Sequence, residues 1–176
     1  MSSNLSYKVI HNADLKYNGR NGTKSWRNFA GDATLRNAAG NRYFTFVPTE
    51  DDAREMEAAG WPVRWIQKYG AEDGVVEPIV TVTVKFRTRD GRPMRPPKIV
   101  VISGRNQIEY GENEVALLDS AQFEKVDMQI SYYEAFNPST GGQSPKVGLD
   151  TMFATLRRDE LTEEYAARAM NEDAPF

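Results

Sequence analysis

The sequence Ile79-Val80-Thr81-Val82-Thr83-Val84-Lys85-Phe86-Arg87 alternates between apolar and polar side chains at every second position. This period of two predicts a β-strand that buries one face and exposes the other, because successive side chains of a strand point in opposite directions. We expect the valines and Phe86 to face a core. The threonines, Lys85 and Arg87 then lie on the opposite face.

Outward from this strand, similar alternation or short apolar runs predict strands at 42–47, 62–67, 98–103, 125–134 and 146–156. Helices are predicted at 50–59, 112–120 and 160–170. The first of these helices has Thr49 as a candidate N-cap and Gly60 as a stop. We therefore expect a mainly β fold, an OB-like barrel of five to six strands with two or three short helices in the connections. A β-sandwich with inserted helices is the alternative.

The composition indicates one domain with a core of its own. The chain has 176 residues, of which 40% are hydrophobic and 27% are charged. It has no cysteine and only one histidine, His11, which excludes thiolate catalysis, cysteine-based zinc sites and a centre with several histidines. No run approaches the ~20 apolar residues of a membrane helix, and Met1-Ser2-Ser3-Asn4 lacks the pattern of a signal peptide. We expect a cytoplasmic protein with no membrane partner, no cofactor and no metal.

The charge is unevenly distributed along the chain. The net charge is −3, but residues 159–176 contain six acids and one base. Residues 1–49 contain seven bases and two acids, and residues 81–108 contain seven bases and one acid. This asymmetry indicates a basic body, residues 1–158, followed by an acidic tail that we expect to form a helix and a tip.

Aromatic and cationic residues recur together in the basic body. Single-stranded nucleic acid needs this combination, because its bases stack on aromatic rings and its phosphates bind lysine and arginine. Neither basic stretch is typical of a helix that reads a duplex groove. We therefore predict a single-strand-binding groove in residues 1–158. Its candidate residues are Trp26, Arg27, Phe29, Arg42, Phe44, Arg64, Lys85, Arg87, Arg89, Arg92, Arg95, Lys98 and Tyr133.

Several of the aromatic residues also fit a core. Phe46, Phe86 and Phe153 lie among alternating apolar residues and are assigned to the core, as are Trp61 and Trp65. Tyr132 and Tyr133 are expected to point to opposite faces of one strand, so one of them at most faces the groove. The segment 89–98 fits either a solvated hairpin or an arm that closes over a bound strand.

The last residues, Asn171-Glu172-Asp173-Ala174-Pro175-Phe176, place acids directly before a terminal Pro-Phe. This ending resembles the C-terminal tip of bacterial single-stranded DNA-binding proteins, although Ala174 stands where that family has isoleucine. The resemblance implies that the tip docks on replication or repair proteins. Phe176 would enter an apolar pocket, Pro175 would set its approach, and Glu172 and Asp173 would contact a basic rim.

The body resembles a group of phage and prophage single-stranded DNA-binding proteins of OB-fold type. The matching pieces include Asn28-Phe29-Ala30-Gly31, Asn41-Arg42-Tyr43-Phe44 and Ala58-Ala59-Gly60-Trp61-Pro62-Val63-Arg64. Further on come Pro97-Lys98-Ile99-Val100-Val101-Ile102, Val126-Asp127-Met128-Gln129-Ile130 and Thr151-Met152-Phe153-Ala154-Thr155. The resemblance implies a role in phage DNA replication, recombination or repair in the bacterial host, with no cofactor.

We therefore predict a non-catalytic, sequence-tolerant protein that binds single-stranded DNA and recruits partner enzymes through its tail. The sequence is compatible with a monomer or a homo-oligomer. One alternative is a β-rich protein-interaction or virion module, which would ignore oligonucleotides. Another is a metal-dependent nuclease, but the acids show no recognisable ligand spacing. An RNA-preferring barrel is a third alternative that the sequence does not separate from a DNA binder.

Overall fold

The fold is that of a computed structural model, which describes residues 5–16, 25–68, 70–88 and 90–157. These residues form a ten-stranded sheet. The strands are β1 (Tyr7–Ile10), β2 (Asp14–Leu15), β3 (Arg27–Asn28), β4 (Arg42–Val47), β5 (Arg64–Gln67), β6 (Val76–Val84), β7 (Lys98–Ser103), β8 (Asn106–Tyr110), β9 (Phe123–Asn137) and β10 (Gly142–Leu156). One α-helix, α1 (Glu50–Ala58), and a 3-10 helix, Val115–Asp119, complete the described part of the chain.

The long hairpin of β9 and β10 is the centre of the sheet. β9 pairs antiparallel with one edge of β10, while the other edge of β10 pairs in parallel first with β6 and then with β7. The main path of hydrogen-bonded strands runs β1-β9-β10-β6-β4-β2. The strands at the two ends of this path, β1 and β2, follow each other in the chain, but within the described residues they do not pair with each other. The protein is therefore mainly β with an open sheet, and the predicted closed barrel is not confirmed.

The predicted elements correspond to observed elements with some changes. All six predicted strands are present, as β4, β5, β6, β7, β9 and β10, and β9 and β10 are longer than expected. The first predicted helix is α1, and the hydroxyl of Thr49 accepts a hydrogen bond from the amide of Asp52 as an N-cap does. The second is a short 3-10 helix, and the third lies outside the described residues. Neither described helix is long and apolar enough to span a membrane.

The core lies on one face of the central strands. Phe29 and Phe44 stack in it with ring centroids 5.2 Å apart, and Phe46, Phe86 and Trp61 are also buried. Tyr132 packs against Trp61 from the same side, with ring centroids 6.2 Å apart.

A bulge in β10 changes which residues face this core. The register between β9 and β10 shifts between Leu149 and Thr151, so Asp150 is an extra residue in the ladder. Val147 and Leu149 are buried before the bulge, whereas Met152 and Ala154 are buried after it. Phe153 consequently faces outward and is 40% exposed. Its assignment to the core was wrong, because the alternation of buried positions does not continue through the bulge.

Candidate nucleic-acid interface

The outward face of β6, β9 and β10 forms the floor of a groove of about 720 Å³. The floor consists of the side chains that alternate with the buried valines, leucine and isoleucine of these strands. These are Thr83, Lys85, Gln129, Ser131, Tyr133, Gly148, Asp150 and Thr151. The segment after β6 forms one wall through Arg87, Thr88, Met94, Arg95, Pro96 and Pro97.

Tyr133 lies across the floor in a fixed orientation. Its hydroxyl group is 2.8 Å from the hydroxyl of Thr83, which is 3.0 Å from the carbonyl oxygen of Val147. A carbonyl oxygen only accepts, so Thr83 donates to Val147 and Tyr133 donates to Thr83. A Cβ atom at Gly148 would lie 3.2 Å from Cε1 of Tyr133, so the absence of a side chain there leaves room for the ring.

A lysine lies over the Tyr133 ring. The Lys85 ammonium group is 5.1 Å from the ring centroid, within the range of a cation–π contact. Lys146 pairs directly with Tyr133 across the β9–β10 ladder, and its side chain is exposed. One aromatic ring therefore lies beside two cations on the outward face.

Asp150 occupies the floor because the bulge turns it outward. Its Oδ2 atom accepts a hydrogen bond from the hydroxyl of Ser131 and another, at 3.2 Å, from the side-chain amide of Gln129. Both partners belong to β9, so the bulged residue of β10 is held by the neighbouring strand. The floor thus carries one carboxylate, and its other polar groups are uncharged apart from Lys85.

Hydrogen bonds join the described residues of the basic wall into a turn. The amide of Met94 donates to the carbonyl of Phe86 at 3.2 Å, and the amide of Thr88 donates to the carbonyl of Arg92 at 2.8 Å. Arg87 binds the Glu112 carboxylate at 2.9 Å and the carbonyl of Gly91 at 3.0 Å. These contacts favour the hairpin interpretation of the segment. Described residues of this segment line the groove.

The groove brings together four of the predicted site residues, namely Lys85, Arg87, Arg95 and Tyr133. Lys98 pairs with Thr151 of the floor and is exposed, so it lies at the same edge. Arg92 is exposed on the turn and binds Asp90 at 2.9 Å. Arg89 lies outside the described residues, as do Glu172, Asp173, Pro175 and Phe176 of the predicted tip.

Three predicted site residues are instead buried, and their predicted DNA contacts are wrong for this structure. Phe29 and Phe44 have no exposed surface and stack on each other, so neither ring is available to a base. Arg27 is only 4% exposed, and it donates to the carbonyl oxygens of Lys16 and Ala121. Because its protons are donated to these backbone carbonyls, the buried arginine stabilises the packing of the two segments and does not offer them to a phosphate.

Three others lie away from the groove. Arg42 is half-buried over the Phe86 ring and donates to the carbonyl of Phe29 at 2.6 Å. Trp26 is half-buried beneath the Lys16 ammonium group, 5.0 Å from the ring centroid. Arg64 is exposed on β5. The groove therefore does not include these three residues, although they were predicted to line it.

Most of the floor was not predicted, because its residues are neither aromatic nor cationic. The missed groups are Thr83, Gln129, Ser131, Gly148, Asp150, Thr151 and the neighbouring Lys146. The polar half of the period-two pattern in 125–134 was a signal that pointed to Gln129 and Ser131. Aromatic surface was missed as well, since Tyr7 is 56% exposed and pairs with Ser131 on the groove face.

Metal chemistry finds no support at this site. Within the described ranges, no group of three or more histidine or acidic side chains is arranged to hold a metal ion. Among the residues that the structure describes, Asp150 is the only acid that lines the groove, and its near neighbours are an amide and a hydroxyl group.

An outward sheet face that combines an aromatic ring with a cationic wall is typical of proteins that bind single-stranded nucleic acid. The family described as "Putative phage ssDNA-binding domain" matches residues 15–175. The chain therefore belongs to this family of phage ssDNA-binding domains. A comparison with curated proteins gives no match.

A comparison with solved structures also finds phage proteins. The chain resembles the single-stranded DNA-binding protein from bacteriophage Enc34 in complex with ssDNA, with a TM-score of 0.51, 8% identity and 88% of each chain covered. It is also similar to a C-terminal truncation of that protein, with a TM-score of 0.46, 9% identity and again 88% of each chain covered. For gp2.5, a single-stranded DNA binding protein encoded by bacteriophage T7, the TM-score is 0.37, the identity 12%, and the coverage 97% of this chain and 99% of that one.

Proposed function

We propose that this chain binds single-stranded DNA in the groove, without catalysing a reaction, during phage DNA replication, recombination or repair. Membership of the phage ssDNA-binding domain family supports the substrate class. The observation that carries the proposed site is the Tyr133 ring, which lies beside Gly148 with the Lys85 ammonium group over it. This arrangement presents a π-face and a cation at one point of an otherwise polar floor.

The groove matches the chemistry of an unpaired strand. Phosphates would bind the cations of the groove and its edge, Lys85, Arg95 and Lys98, and Arg87 once it leaves the Glu112 carboxylate, and would release condensed counterions. A base would stack on Tyr133 once the Lys85 ammonium group moves from the ring to a phosphate. In a duplex the bases stack on each other, so none would be available to stack on the Tyr133 ring.

Fluorescence anisotropy with labelled oligo-dT across salt concentrations tests this function. Four neutralised phosphates predict a slope of log affinity against log salt of about −2.8, at about −0.7 for each phosphate. Arg95→Ala should make the slope less negative by about 0.7 and weaken binding at low salt. Arg64→Ala is the matched control, because it removes an exposed arginine from β5, outside the groove. A flat titration, or equal losses in the two variants, would refute the proposed site.

We further propose that the acidic tail recruits replication or repair proteins, a proposal that rests on the sequence of residues 171–176 alone. Deletion of Phe176 should leave affinity for oligo-dT unchanged and abolish capture of a partner from a host extract. A peptide of residues 168–176 with a free carboxylate should release the captured protein, whereas the same peptide with a C-terminal amide should not. Capture by the variant lacking Phe176 would contradict the docking proposal.

A further inference from the structure

The floor of the groove offers many hydrogen-bond acceptors and few donors. The hydroxyl proton of Tyr133 is donated to Thr83, that of Thr83 to the carbonyl of Val147, and that of Ser131 to Asp150. Three hydroxyl groups therefore present only lone pairs to a ligand. The donors that remain on the floor are one amide proton of Gln129, the Thr151 hydroxyl and the Lys85 ammonium group over the Tyr133 ring.

Asp150 adds the strongest acceptor. Both of its hydrogen bonds go to Oδ2, and within the described part of the chain Oδ1 accepts none. An ionised carboxylate only accepts, so this free oxygen favours N–H groups and repels phosphates and carbonyl oxygens. Because Ser131 and Gln129 hold the other oxygen, the orientation of Oδ1 is fixed before a ligand arrives.

The distribution of charge fixes which side of a strand faces the floor. In the described part of the chain, the cations that line the groove are Lys85, Arg87 and Arg95, on its wall and above the ring, whereas the only lining carboxylate, that of Asp150, is on the floor. Phosphates therefore belong at the wall, and base edges point to Asp150. The four bases differ at this point. Guanine offers adjacent N1–H and N2–H donors, adenine and cytosine each offer an exocyclic amine, and thymine offers one N–H between two carbonyl oxygens.

We propose that the groove is base-selective, with Asp150 as the specificity-determining residue that favours guanine and disfavours thymine. The inference rests on the proposed binding of single-stranded DNA in this groove and goes beyond it, because stacking alone predicts sequence-tolerant binding. One base per bound strand occupies the position over Asp150, so a single guanine in a thymine oligonucleotide is sufficient to gain the contact.

The test compares short thymine oligonucleotides that carry one central guanine, hypoxanthine, adenine, cytosine or thymine. With the native protein, the guanine oligonucleotide should bind about tenfold more tightly than the all-thymine one, within the range known for a paired base edge. Hypoxanthine, which lacks the N2 amine, should lie between guanine and thymine. This base series tests the inference without any substitution in the protein.

Asp150→Asn isolates the carboxylate. The variant should bind the all-thymine oligonucleotide more tightly than the native protein, because a negative charge leaves the groove, and its preference for guanine should fall below about threefold. Asp73→Asn is the matched control, since it removes the same charge from an exposed turn before β6, outside the groove, so the preference should persist. Native affinities that agree within twofold for all five oligonucleotides, or an unchanged preference in Asp150→Asn, would overturn base selection while leaving DNA binding intact. Absence of binding to every oligonucleotide would refute the proposed function itself, and this inference with it.

Discussion

Replacement of Tyr133 by alanine tests the central feature of the proposed site. Stacking of one base on an aromatic side chain contributes about 1–3 kcal/mol, so Tyr133→Ala should weaken binding of oligo-dT by about 5- to 160-fold. The fold should survive, because Tyr133 lies on the outward face and is only half-buried. Its single hydroxyl contact, to Thr83, contributes about 1 kcal/mol to stability.

Tyr133→Phe is the control for that experiment. It keeps the ring over Gly148 and removes only the hydrogen bond to Thr83, so affinity for oligo-dT should change by less than about threefold. Tyr132→Phe serves as a second control, since that neighbour packs on Trp61 at the core side of the same strand. Anisotropy titrations at fixed salt, with circular dichroism to check folding, give the comparison. Equal affinities for the native protein and a folded Tyr133→Ala variant would refute stacking at this ring.

Three further predictions concern single substitutions at residues other than Tyr132 and Tyr133. Gly148→Val should displace the Tyr133 ring and weaken DNA binding at least fivefold in anisotropy titrations. Gly142→Val in the same strand is the control and should leave DNA binding unchanged, because an added Cβ there meets nothing closer than 3.9 Å. Asp119→Ala should lower the free energy of unfolding by about 2–3 kcal/mol in urea titrations, with unchanged DNA affinity, because Asp119 accepts the buried amide of Phe29 at 2.6 Å and that of the next residue at 3.1 Å. The hydrogen bond from the Asn12 amide, with Lys125 and His11 nearby, lowers the pKa of Asp127, so its stabilising contribution is complete above the ordinary value of 3.8 and is lost as pH falls through the lowered pKa. Asp127→Ala should therefore reduce the Tm at pH 7, with a difference from the native protein that shrinks below pH 4; a difference that grows on acidification would contradict this sign.

Regular alternation made much of the sheet predictable. β4 and β7 have the expected bounds, because their apolar residues alternate or run together between clear turn residues. The strands β1, β2, β3 and β8 were not predicted. Two of them have two residues each, and β8 is mostly exposed, so hydrophobic patterning carries no signal there. They form through tertiary pairing with longer strands.

The site was only partly predictable, for a physical reason that the β10 bulge illustrates. Composition identified cations and rings, but whether a ring stacks on DNA or fills the core depends on its face of the sheet. An extra residue at Asp150 exchanges the two faces, which exposes Phe153 and turns a carboxylate into the groove. Phe29 and Phe44 show the opposite case. Both lie near arginines in the sequence, as a DNA-stacking residue would, but their rings stack on each other in the core.

The pairing of β1 with β9 has a consequence for how the chain acquires its structure. Tyr7 pairs with Ser131, so β1 cannot pair during synthesis until β9, more than a hundred residues further along the chain, has left the ribosome. Contacts so distant in sequence slow folding, because the loop must close before they form. Until then the unpaired N-terminal strand and its exposed Tyr7 and Val9 are open to other nascent chains. Rapid synthesis at high copy number would therefore favour aggregation, and slower expression at low temperature should raise the yield of folded protein.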